Sequence, residues 1–246
     1  MTERDLTTVK PALKTIAELT DIVGTADAVC TRIENRVKLF REFVNSQSAA
    51  IAGRRVPGLS PADEKRVHTA QIQEAISARK AADIKANDAD IKGKLREAKG
   101  ALEAGAVFYS DAASVLERRT LGNQKRATYA ANMANAAPAA VRTAALTAIA
   151  TGDEDLAAVV SQHLGNLPVG DRPYTVGSFL AEFGVADFVK YTEIKAYFDR
   201  RLQSAILESR FLTLGIARHT ADHARAKIRN GMAPAPSKAA VFGDEE

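Results

Sequence analysis

Apolar residues recur along the first fifth of the chain at alternating steps of three and four. Val9, Ala12, Ile16, Leu19, Val23, Ala26, Cys30, Ile33, Val37, Phe40 and Val44 form a seven-residue repeat held for five heptads. This predicts a coiled-coil-like helix from about Pro11 to Ala52, roughly 60 Å long at 1.5 Å per residue. Pro11 is tolerated in the first turn, and Gly53 with Pro57-Gly58 marks the end. A second long helix starts at Ser60, an N-cap residue followed by Pro61, Asp63 and Glu64. Its stripe runs through Ile72, Ile76, Ile84, Ile91, Leu95, Ala98, Leu102, Gly105, Tyr109, Ala112 and Leu116, and predicts one helix ending near Leu121 before the Gly122-Asn123 turn. The stretch from Ala75 to Lys94 is poor in large apolar residues, which predicts weak packing and local flexibility. The short linker after Gly53 makes an antiparallel hairpin the natural pairing of the two helices.

Beyond Asn123 the pattern changes. Residues 124–152 hold 12 alanines in 29 positions, split by Pro138 into two short helices that bury little area per residue. Asp153, Glu154 and Asp155 open another short helix ending near Gly165, and the Pro- and Gly-dense segment 164–176 reads as a linker. Eight of the 14 aromatic side chains then fall between Tyr174 and Phe211. A long final helix is expected from Ala186 to Arg229, with a face built on Phe188, Tyr191, Phe198, Leu202, Ala205, Leu212 and Ile216. No segment alternates with period two. The expected fold is all-α, divided into a hairpin (1–122), Ala-rich short helices (123–165), an aromatic-rich helical region (166–230) and a disordered tail (231–246).

Composition narrows the function classes. The 246 residues are 46% hydrophobic and 26% charged, with mean hydropathy −0.17, as in a soluble globular protein. The nearest approach to a spanning segment, around residues 132–150, carries Pro138 and Arg142, so no integral membrane association is expected. A single cysteine and an N-terminus without an apolar leader segment point to the cytoplasm, or to a virion assembled there. The net charge of +4 is spread evenly, 20 basic against 17 acidic residues through Asn123 and 14 against 13 after it. From Asp199 to Arg229 bases dominate, seven against three acidic residues. There Arg200, Arg201, Arg210, Arg218, Arg225, Lys227 and Arg229 are candidate contacts for phosphate or an acidic partner. Charges near a helix C-terminus equally complement its dipole.

The motifs that would announce catalysis are missing. His219 and His223 stand four apart on the expected last helix and could share a metal face. Thr220, however, occupies the place of the general-base glutamate, and both histidines continue the Leu212–Ile216 stripe in register, so no metal and no cofactor are expected. No Glu-x-x-His occurs, which removes the di-metal bundle signature. Cys30 lies in the apolar stripe and reads as a buried spacer, while His68 and His163 stand alone.

The sequence therefore predicts a non-enzymatic structural or interaction protein, a helical subunit that associates with itself or with other helical proteins. In general texture, with no motif behind the likeness, it resembles helical virion components of tailed phages, such as scaffold, ring or internal proteins. The alternative is a basic coiled-coil protein that binds nucleic acid weakly and without sequence preference.

Overall fold

The computed structural model describes residues 14–51 and 57–214; these are predominantly helical, with no strand among them. The α-helices are α1 (Ile16–Ile51), α2 (Pro61–Asp90), α3 (Arg96–Tyr109), α4 (Ala112–Thr120), α5 (Gln124–Met133), α6 (Pro138–Thr151), α7 (Glu154–Asn166), α8 (Val176–Phe183) and α9 (Ala186–Leu214). A π-turn (Ile91–Leu95) joins α2 to α3, and a 3₁₀ turn (Val169–Asp171) precedes α8. The chain divides into two compact units, one of residues 14–17 and 101–194, the other of 18–51, 57–100 and 195–214. The tail 231–246 and the end of the expected last helix lie outside the described residues.

In the 18–214 unit, α1 is 36 residues long, about 54 Å. It begins at Ile16 rather than near Pro11, since Lys14 and Thr15 are not helical. Thr15 with Glu18 three residues on has the spacing of a capping box, a stronger start signal than the proline. The heptad stripe is buried as its period requires: Leu19, Val23, Ala26, Cys30, Ile33, Val37 and Phe40 are in the core, and Val29 joins them. α2 carries the expected cap, with the Asp63 amide donating to Ser60 Oγ at 3.2 Å and Pro61 in the first turn.

The second long helix is not continuous. It ends at Tyr109, and the chain restarts at Ala112 because Asp111 is in extended conformation and accepts a hydrogen bond from the Ser114 amide at 2.9 Å. An aspartate followed three residues later by serine offers the backbone this N-cap in place of another helical turn. The second interruption is the π-turn. Asn87 and Leu95 both face the core but lie eight residues apart, which overshoots two regular turns by about 80°. The wider turn at Ile91–Leu95 absorbs the surplus and returns Leu95, Ala98 and Leu102 to a buried face.

The 101–194 unit is built around α7. Leu156, Ala157, Ala158, Val159, Val160, Ser161 and Leu164 are all buried, so this helix is surrounded, by α4, α5, α6 and α8. The Ala-rich α6 contributes Val141, Ala145 and Ala148 at helical spacing, and the aromatic segment supplies Phe179, Phe183 and Phe188 to the same core. Small residues on one side and rings on the other fill that space jointly, so the Ala-rich and aromatic stretches share one interior. Pro138 opens α6, as the sequence predicts, and Gly152 closes it in the left-handed conformation (φ 65°). Asp153 caps α7 through Oδ1, which accepts from the Asp155 and Leu156 amides.

Candidate functional site

The register of α9 shows where its chemistry lies. Tyr191, Ile194, Phe198, Ala205 and Leu212 are buried at alternating steps of three and four, and the two positions that complete the series are Arg201 and Glu208. Both are charged residues at seam positions. Arg201 Nε donates to Asp27 on α1, Nη1 to Glu34 Oε1 at 2.9 Å, and Nη2 to Thr31 Oγ1 at 3.1 Å. The Ser204 hydroxyl adds a 3.0 Å bond to the same Glu34 oxygen. About two turns further on, Arg41 reaches Glu208 at 2.8 Å and lies 4.3 Å above the Phe211 ring. Because Asp27 and Glu34 meet Arg201 while Arg41 meets Glu208, α9 runs alongside α1 in the same direction.

α2 brings a second polar layer to the same unit. Its only fully buried residues are Asp83 and Asn87. Arg36 of α1 donates to Asn87 Oδ1, and both its terminal nitrogens reach Asp90 Oδ2 at 3.2 Å. Arg32 approaches the other Asp90 oxygen at 3.5 Å. On its far side Asn87 donates through Nδ2 to Ser209 Oγ of α9 at 3.1 Å, so one amide ties α2 to two neighbours. Asp83 is held within the helix by Arg79 at 3.0 Å.

These pairings set the electrostatics. Burial pushes the Cys30 thiol up to about 12, although Arg201 opposes the shift, so Cys30 is a packed thiol and not a nucleophile. Burial and the neighbouring Asp27 likewise raise Tyr197 to about 12. Burial works against the charge of Arg201, but the hydrogen bond to Asp27 and the Glu34 charge outweigh it, and its pKa rises. In the other unit the Asp153 carboxyl, despite its partial burial, is held below its ordinary range by Lys125 at 2.8 Å and by the Tyr129 hydroxyl at 2.9 Å. Chemically, each layer places carboxylates against guanidinium groups with the hydrogen bonds directed from helix to helix.

The residues singled out in the sequence separate accordingly. Arg201 is turned into the bundle and spent on two carboxylates; Arg200 is half-buried and Arg210 exposed. Arg218, Arg225, Lys227, Arg229, His219 and His223 lie outside the described residues, as does the Arg54-Arg55 pair. Arg118 stacks over Phe108, and Arg119 pairs with Glu154 and Asp187. No group of three metal-ligating side chains occurs among the described residues. Sequence reasoning missed Asp83, Asn87 and Asp90, yet a signal was present: polar residues at seam positions inside the stretch that reads as weakly apolar. Compared with known protein families, curated proteins and solved structures, the chain finds no match.

Proposed function

We propose that this protein is a non-enzymatic structural subunit, which associates with further copies of itself or with other helical proteins in a larger assembly. The observation that carries this reading is the use made of interior charge. Arg36, Arg41 and Arg201 with their carboxylates link one long helix to another, an arrangement suited to fixing helix register rather than to transforming a substrate.

Surface composition supports the same reading. In the 101–194 unit Val107, Leu121 and Val169 are 75–81% exposed and Leu146 about half, apolar side chains available to a neighbour. The α1 stripe is already buried from Leu19 to Phe40, and at its Val37–Phe40 end the chain's own α2 and α9 supply the covering groups. α2 in antiparallel pairing with α1 forms the hairpin of this subunit. A scaffold, ring or internal protein of a tailed phage is the specific role that its texture fits, in the cytoplasm or in a virion assembled there.

Light scattering on the purified chain tests the proposal. A mass that is a multiple of 26.3 kDa is expected, unchanged by added nucleic acid. A concentration-independent monomer would sink the self-association reading. A rise in mass only on adding nucleic acid would favour the basic coiled-coil alternative.

A further inference from the structure

α2 is attached to its unit in an unusual way. Over 30 residues it buries only an aspartate and an asparagine, and its apolar Ile72, Ile76 and Ile84 are half-buried. Beneath it, Val37, Phe40, Phe211 and Leu212 of α1 and α9 form an apolar cluster against which Ile76 and Ile84 pack while staying half-buried. Among the described residues, α2 is therefore held by these two half-buried isoleucines and by the polar contacts at Asn87 and Asp90, with no fully buried apolar side chain of its own.

The C-terminal end of α2 is suited to movement. There the π-turn, with Gly93 at its centre, replaces regular helical bonding by a wider turn. Polar contacts, partly exposed and offset by desolvation, hold less firmly than an apolar seam of equal length.

We propose that α2 is a releasable arm, which leaves α1 and α9 as one body by pivoting at Ile91–Leu95, with the polar layer of Arg36, Asn87, Asp90 and Ser209 as its latch. Release uncovers the side of the Val37–Phe40–Phe211–Leu212 cluster on which Ile76 and Ile84 pack. The α1–α9 pairing persists, because Arg201 and Arg41 do not depend on α2. This is a conformational device within the chain, and it stands whether or not the chain assembles.

Hydrogen exchange on the full chain, read by mass spectrometry, decides it. Amides of α2 are expected to exchange at least about tenfold faster than those from Leu19 to Val37 of α1, through an opening smaller than global unfolding. Raising salt from about 0.05 M to about 0.5 M is expected to speed α2 further while leaving α1 unchanged, since Arg32 and Asp90 are open to screening. Asn87→Leu exchanges the latch for an apolar contact and is expected to slow α2. Arg36 keeps Asp90, and the Ser209 hydroxyl can turn to a carbonyl of its own helix. Asp90→Asn removes the charge that holds Arg36 and is expected to speed α2 alone; it decides the matter if Asn87→Leu does not fold. Equal protection of α1 and α2, moving together in salt and in the Asp90→Asn variant, overturns the proposal, as does faster α2 exchange in a folded Asn87→Leu.

Discussion

Truncating Arg201 would leave Asp27 and Glu34, largely buried on α1, without the guanidinium that neutralises both. The side chain keeps some solvent contact, so the cost falls below that of a fully buried pair: Arg201→Ala is expected to lower stability by about 2 kcal/mol, seen as an earlier urea midpoint. An unchanged midpoint would show that the pair is solvated away. Asp153 is the matching residue in the other unit, because one carboxylate caps α7 and holds Tyr129 and Lys125. Its pKa and that of Asp111, which is held low chiefly by Ser114, are depressed in the folded state. A depressed acid contributes stability that is full above its ordinary value of about 3.9 and lost as pH falls through the folded value. Melting is therefore expected to be acid-sensitive below about pH 4, and Asp153→Ala to cost about 1–2 kcal/mol at pH 7 while shrinking the difference between pH 7 and pH 3. Equal acid sensitivity in parent and variant would remove Asp153 from that account.

At the scale of the element, the α1 stripe and the π-turn make opposite forecasts. Ile33 sits in the middle of the buried seam, and Ile33→Asp places a carboxylate there with no partner provided, so a loss of several kcal/mol, read by chemical denaturation, is expected. Deleting Gly93 should be mild by comparison. The π-turn carries one residue more than a regular helix needs between Asp90 and Leu95, and removing it leaves a step of four with the downstream face still inward. The deletion variant is expected to keep its helical circular dichroism and to stay within about 1 kcal/mol of the parent. A collapse of stability comparable to Ile33→Asp would mean that the extra residue is not what the π-turn absorbs.

For the molecule as a whole, charge is the property that decides how it meets other macromolecules. The net charge is only +4, and Arg36, Arg41, Arg119 and Arg201 are already committed to carboxylates within the chain. Nucleic-acid binding, where it occurs at all, is expected to be indifferent to sequence and to weaken about tenfold or more between about 0.05 M and 0.2 M salt. Competition between matched and scrambled duplexes at both salt levels checks this; selective binding that survives the higher salt would contradict it.

Periodicity and local start signals along the chain were enough to determine the helical class, the buried face of α1, and the helices that open at Ser60, Pro138 and Asp153. Each of these rests on contacts within a few residues, where local sterics and hydrogen bonding decide. Cys30 was legible as a packed thiol for the same reason. Tertiary structure alone decided that α9, some 170 residues away in sequence, lies along α1, and that Arg201 and Glu208 turn inward rather than toward solvent. It also decided that Asn87 and Asp90 meet Arg36 of α1, and Asn87 also Ser209 of α9. A charged residue at a seam position is favourable only when its counterpart arrives from another helix, and one helix's period carries no information about where that counterpart stands. The break at Ser110-Asp111 lies between the two cases: the capping spacing was written in the sequence, but an unbroken apolar stripe across it suggested one continuous helix.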